Sequence, residues 1–518
     1  MAKSEPASVQ TPASLNHPVF WPPFLLLLVA VGFNVANPDL FGELITAAND
    51  WVLAHFGWMY TICAFSALVL CIWISFSPFG RVRLGGVNAK PLMNRWNWFA
   101  ITICTTIAVG ILFWSTAEPV THFHSPPESL GIKPDSPASA RFSIAALYHH
   151  WTITPYAIYC VASLMFAFAH YNMQQPFSLG STLVPLLGEK QSRRFGGLID
   201  AVCLYSLVAG MAAALGTGIL TISGGLNSLW GVPRGNLVFG AIAISIVASF
   251  VASSATGLMK GIRILSDINA KALFALALVV LFTGPTLFIF RSGFAALGEY
   301  GMRFFQLSLG ANLVSQDPWA IQWSVFYWAV WLAWTPITAC FLGRIAYGRT
   351  VREFMIVNLV YPALFSLVWM AIFGATTLHL EMAGAGLGEL MASSGTESVS
   401  YAVLESLPFG TILVGFYLLS AFVCFVTSAD SNTTAMASIS SRGVTLENPE
   451  GDLKVKVAWG MLVGATAWVM ISFADVEGIR MISTLGGFPA AILLFLIMAS
   501  LVCVLLRYKH FNTVDKMP

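Results

Sequence analysis

Apolar runs of about 20 residues follow one another along almost the whole 518-residue chain. That is the length a helix needs to cross the hydrocarbon core of a bilayer, where every backbone amide must find its partner inside the chain. The charged fraction points the same way, at 10% against the ~25% of soluble chains. The runs predict an all-α integral membrane protein of twelve spans, at about 19–37, 58–77, 97–116, 146–170, 197–225, 236–258, 268–290, 321–343, 353–378, 411–438, 456–475 and 483–506. Residues 1–18 are polar and read as a disordered cytoplasmic tail, 19–506 as the membrane domain, and 507–518 as a short cytoplasmic end.

Basic residues set the direction of the crossings. With the N-terminus inside, nineteen Lys and Arg fall in cytoplasmic segments and six outside, and the outer loop 379–410 has neither. Both termini are therefore expected inside. The segment 293–310, with Glu299 and Arg303, is amphipathic and reads as an interfacial helix. Lys271 stands near the start of the seventh span, where an ionisable group is either functional or snorkels to the interface.

Polar breaks within spans mark candidate sites, because freed backbone groups bind ions and substrate. The third span ends AVGILFWSTAEPVTHF, the fifth carries GMAAALGTGILTISGG, and the tenth ends FVTSADSNTTAMASISS. Trp114 precedes Pro119 by five positions, as Trp331 precedes Pro336, a faint echo between two halves. The eight cysteines lie in apolar runs without CxxC pairs and read as packing residues. No basic stripe suggests nucleic acid. No metal is expected, since His149 and His150 have no third ligand at a suitable spacing. Acid–base chemistry by Glu118 with His149 and His150 remains as the enzyme alternative, without a nucleophile or cofactor motif to support it.

The eighth span is the richest in rings. WSVFYWAVWLAWTPI holds Trp323, Tyr327, Trp328, Trp331 and Trp334, followed by Arg344, Arg349 and Arg352. FYWAVWLAWTPI with FLGRIAYGRTVREF resembles the betaine/choline/carnitine transporter family. So do FWSTAEPVTHFHSPP, HWTITPYAIY, STLVPLLGEK, KGIRILSDIN and TSADS, in family order along the chain. The resemblance implies a secondary transporter of the cell (inner) membrane, commonly a homotrimer, with two inverted five-helix repeats (spans 3–7 and 8–12) after two extra helices. It implies a quaternary-ammonium substrate such as choline, betaine or carnitine. Such a head has no N–H to donate, and ring faces attract it by roughly 2 kcal/mol or more each when desolvated. The family's aromatic box falls on Trp151, Tyr156, Tyr159 and Trp331, with Phe113, Phe326 and Trp334 along the path. Trp323 and Trp328 are as readily explained as interface or packing aromatics.

The family pattern is not followed everywhere. Tyr156 stands where many members have Trp, and Val330 where many have a second Trp. The third span reads Thr105, Thr106, Ile107, Ala108, Val109, Gly110 in place of the glycine-alternating stretch associated with betaine. For coupling, Thr427 and Ser428 match the hydroxyls of one family sodium site, completed by carbonyls near Cys104 and Ile107; back-bonding along the helix is the other reading of those hydroxyls. Leu207 and Met211 offer no hard ligand for a second Na+. Members that dispense with sodium carry Arg near Asn269, and Lys271 is close enough to substitute for the cation. Sodium symport and sodium-independent exchange both remain open.

Overall fold

The computed structural model describes residues 14–106, 108–255, 259–310, 317–442 and 452–516. The described chain is almost entirely helical. Helix α1 (His17–Ala36) leads into α2 (Pro38–Phe76), which starts at a proline capped by Asn37. At 39 residues α2 is about 58 Å long, nearly twice a membrane core. The expected span 58–77 is its second half; the first half carries Asp39, Glu43 and Asp50. Residues 14–18, read from sequence as part of a disordered tail, belong to the fold. Ser14–Leu15 pairs antiparallel with Ser441–Arg442, and α1 begins at His17.

The third expected span is described in two helical stretches, α3 (Arg95–Thr106) and α4 (Ala108–His124), on either side of residue 107, which lies outside the described residues. The fourth is two helices, α5 (Pro137–Trp151) and α6 (Ile153–Tyr171), starting nine residues earlier than expected behind a Ser136/Ser139 capping box. Between them Thr152 is non-helical at φ −112°, ψ −115°. Pro155 explains the position: it has no N–H for the carbonyl of Trp151, and its ring crowds that carbonyl. One helical turn, α7 (Val184–Leu187), precedes the 42-residue α8 (Glu189–Trp230) and α9 (Asn236–Ala255). Helix α10 (Met259–Thr283) ends at Gly284–Pro285, and α11 (Thr286–Phe305) leaves at 109° to it. Residues 286–290, expected in the seventh span, thus belong to the amphipathic helix.

Helix α12 (Pro318–Ile345) opens on an Asp317 cap and a π-turn; α13 (Val351–Met382) opens on a Thr350/Glu353 capping box. Two short helices, α14 (Leu387–Ser394) and α15 (Ser398–Glu405), fill the connection between α13 and the next long helix. Then come α16 (Gly410–Ile439) and α17 (Leu453–Phe511), whose 59 residues are broken at Ala474 and Asp475. Among the described residues eight helices are long and apolar enough to cross a membrane, and the bent pair α10–α11 makes a ninth. That count is of the described residues alone: the third span is described on either side of residue 107, the described apolar part of α9 ends at Ala252, and α17 is counted once at twice a span's length. In the centre, α12 packs against α6, α8 and α17. Gly487 lets the α12 backbone come close; a Cβ there would lie 2.6 Å from the Ala329 carbonyl oxygen.

Candidate functional site

Trp331, on the buried face of α12, is the centre of the ring cluster. Trp151 meets it from the end of α5 at 5.6 Å between ring centroids, Tyr156 from α6 at 5.6 Å and Tyr159 at 5.0 Å. Interplanar angles of 73° and 70° make the Trp151 and Tyr156 contacts edge-on, and Tyr159 is tilted at 59°. Tyr156 and Tyr159 are three apart on one helix and so share a face. Tyr156 is further fixed by Ser366 Oγ of α13 at 2.8 Å. All four rings are buried, and among the described residues Trp331 Nε1 has no hydrogen-bond partner.

The other ring residues sort by layer. Phe326 packs on Tyr327 (5.0 Å) and Trp114 (5.6 Å), under the guanidinium of Arg480 at 5.4 Å, and Phe113 packs on Trp114 (4.8 Å). Neither meets Trp331 ring to ring among the described contacts. Trp334 lines a separate narrow cleft with Met211, Ser428, Asn432 and Thr433. Trp323 and Trp328 are buried packing aromatics, Trp323 against His122 (4.6 Å) and Trp328 against His149 (5.1 Å).

Behind Trp151 lies a network that sequence reasoning did not assemble. Glu118, fully buried in α4, accepts four hydrogen bonds. His122 Nε2 (3.1 Å) and His150 Nδ1 (2.6 Å) reach Oε1; Trp151 Nε1 (3.1 Å) and Tyr327 OH (2.6 Å) reach Oε2. Four donors on one buried carboxylate satisfy an ionised group. Glu118 is therefore neither a helix cap nor one half of a simple pair. Of the pair weighed from sequence, His150 joins Glu118 and His122, their nitrogen and carboxylate atoms within 4.8 Å of one another, and His149 is not part of that group. Tyr327 could have been found: it lies one helical turn before Trp331.

Of the two hydroxyl candidates for the ion site, Thr427 takes the back-bonded form. Thr427 donates to the carbonyls of Val423 (2.8 Å) and Cys424 (3.0 Å), and Ser428 Oγ accepts from Asn432 Nδ2 (3.1 Å). Ile107 and the side chain of Cys104 lie outside the described residues. Lys271 does not reach this helix. It is 62% exposed and paired with Asp267 at 2.6 Å, while Asn269 faces α16 and donates to Cys424 Sγ. The i, i+4 pairing along α10 turns the lysine away from α16. The seven described cysteines are free thiols.

Arg234, between α8 and α9, ties two other segments together, 2.6 Å from Glu397 Oε1 and 2.9 Å from Asp475 Oδ2. Burial pushes the Glu397 carboxyl up to about 7 against the pull of Arg234. His124 bridges Asp135 (2.5 Å) and Glu381 (2.7 Å).

The family model of the betaine/carnitine/choline transporters (BCCT) matches residues 18–510. The chain belongs to this family. It is 31% identical to a glycine betaine transporter of Bacillus subtilis over 93% of both chains. It is 30% identical to an ectoine/hydroxyectoine transporter of Virgibacillus pantothenticus, over 97% of this chain and 99% of that one. A high-affinity choline transport protein of Escherichia coli is 28% identical over 97% of this chain and 73% of its own. The protein is thus a multi-pass membrane transporter, and the reading of Glu118, His149 and His150 as acid–base groups of an enzyme falls.

Proposed function

We propose that this transporter carries a quaternary-ammonium compound of the choline, betaine or carnitine type by alternating access, the cationic head held against Trp331 by Trp151, Tyr156 and Tyr159. The observation that carries the reading is the convergence of three rings from α5 and α6 on one buried indole whose N–H has no partner. The rings give a cation quadrupole faces, and the free N–H gives the substrate's carboxylate or hydroxyl a donor. At 5.0–5.6 Å the rings touch, so the head is admitted as they part.

The architecture that goes with this reading is twelve crossings, with spans 3–7 and 8–12 as inverted repeats, in an inner-membrane trimer with cytoplasmic termini. Na+ coupling through Thr427 and Ser428 would require Thr427 to turn from its backbone carbonyls. Symport and exchange are separated by driving uptake with an imposed sodium gradient or with internal substrate.

The test is equilibrium binding of radiolabelled choline, glycine betaine, carnitine and ectoine to protein in proteoliposomes, with and without sodium. Saturable binding of a quaternary amine, lost in Trp331→Leu, supports the site. Binding of ectoine alone, or of none, sinks the quaternary-ammonium assignment.

A further inference from the structure

An indole N–H can only donate, so the acceptor it finds fixes where the ring can lie. Trp151 gives its hydrogen to Glu118 Oε2 at 3.1 Å. The other end of the same indole rests on Gly110, where a Cβ would lie 2.3 Å from Trp151 Cη2. Helix α4 thus holds the ring at both ends.

The same oxygen takes a second hydrogen from another wall. Tyr327 OH of α12 lies 2.6 Å from Oε2, one helical turn before Trp331, and its ring packs on Trp151 at 5.2 Å. Trp151 of α5 and the stretch of α12 that carries Trp331 are therefore yoked through one carboxylate oxygen.

The carboxylate is not free to follow either partner. Its other oxygen, Oε1, accepts from His122 and His150. Each imidazole is tied at its far nitrogen: His122 Nδ1 accepts from Trp319 Nε1 at 3.0 Å, and His150 Nε2 lies 3.0 Å from Ser324 Oγ. His150 also stacks on Tyr327, 4.6 Å between centroids. Glu118, His122, His150, Trp151 and Tyr327 are all buried, so a bond that breaks here is not remade with bulk water.

We propose that Glu118 is a positioning residue that sets the largest ammonium head the ring site accepts. The inference rests on the reading that Trp151 and Trp331 hold that head. The two rings touch at 5.6 Å, so a head enters by parting the indole of α5 from that of α12. Parting them loads both bonds at Oε2, because Trp151 and Tyr327 pull on one anchored oxygen from different helices. Three methyl groups demand a small separation. Three ethyl groups demand a larger one, at which one of the two bonds breaks. A lost hydrogen bond to a charged group costs on the order of tenfold in affinity or more. The yoke thus discriminates by size where ring faces do not, since they attract either head by its charge.

The experiment is equilibrium binding of radiolabelled choline and of its triethyl analogue, (2-hydroxyethyl)triethylammonium, to the full chain in proteoliposomes. The quantity read is the ratio of the two affinities, which general loosening of the fold does not set. The wild type should prefer choline by on the order of tenfold or more. Tyr327→Phe cuts the α12 arm and leaves Trp151 bonded, and the preference should shrink by on the order of tenfold. Ser400→Ala is the control. It removes a 2.6 Å hydrogen bond to Thr116, two positions before Glu118 on α4, touches neither arm, and should keep the wild-type ratio.

Equal affinity of the wild type for the two heads overturns the inference. So does a folded Tyr327→Phe protein with the wild-type ratio, or a Ser400→Ala protein whose ratio shrinks as far. Should Tyr327→Phe fail to fold, Glu118→Gln is read in the same way, because an amide has one acceptor oxygen and cannot take hydrogens from all four donors. If neither cation binds the wild type, the substrate reading falls and the inference falls with it. Binding with an unchanged ratio sinks the inference alone and leaves the substrate reading standing.

Discussion

Gly110→Ala tests whether the wall of the ring site depends on one missing methyl group. A Cβ on Gly110 would lie 2.3 Å from Trp151 Cη2 and 2.7 Å from Cζ3. Carbon atoms rest at about 3.5–4.0 Å, so the indole must retreat by on the order of 1 Å. It is held on the far side by its hydrogen bond to Glu118, and that bond moves with it. Withdrawing one ring from a desolvated cation removes about 2 kcal/mol, or about thirtyfold in affinity. Folding should suffer less. Overpacking costs about 1–3 kcal/mol, and alanine's helix propensity returns about 1 kcal/mol of it. Radioligand binding and thermal unfolding on the same sample separate the two effects. Gly415→Ala, where a Cβ meets nothing within 4 Å, is the control and should leave binding unchanged. A folded Gly110→Ala protein with wild-type affinity would refute the argument, because Trp151 would then not be a wall of the site.

Tyr327→Phe removes one of the four donors to Glu118 and should cost about 1.5–3 kcal/mol in unfolding free energy, read by denaturation in detergent. Lys271→Ala should leave the sodium dependence of uptake unchanged, because the lysine is exposed and paired with Asp267; altered ion dependence would return it to the ion site. Glu397 ionises less readily in the folded protein, so its contribution to stability is full below the usual carboxylate range and is lost as pH rises toward about 7. Glu397→Gln should flatten thermal stability across that window. At His124 burial opposes the charge, but hydrogen bonds to Glu381 and Asp135 prevail and hold its imidazole above the ordinary range. The link that His124 makes should therefore be strongest in acid and fade as pH rises through that raised value, and His124→Gln should abolish the trend in protease resistance of the connection between α13 and α16.

The helical, membrane-spanning character of the chain and the order of its helices are legible in the apolar runs because lipid burial demands them; their lengths are less so. The break at Thr152 is legible in Pro155. The first half of α2 is not, because Asp39, Glu43 and Asp50 interrupt the hydropathy while the backbone continues as helix outside the apolar zone. The ring cluster emerged from family positions, and the fold brings Trp151, Tyr156, Tyr159 and Trp331 together as expected. The network around Glu118 was invisible for a different reason. Its donors come from α4, α5 and α12, separated by up to 209 positions, and no local spacing encodes that meeting. Nearness in sequence does not put Lys271 and Asn269 on one side of the helix: the lysine pairs with Asp267, while Asn269 meets Cys424.

The interruption at Thr152 has a mechanical meaning. Trp151 is the last residue of one rod, and Tyr156 and Tyr159 ride on the next. Trp331, on a third rod, touches both. The spacing of the ring cluster therefore depends on the angle between α5 and α6 and on the seat of α12 against both, as the gap between jaws depends on the pivot. If the proposed site holds the substrate, anything that bends the joint would change grip and shape in one motion, and affinity and conformation would be two readings of the same coordinate.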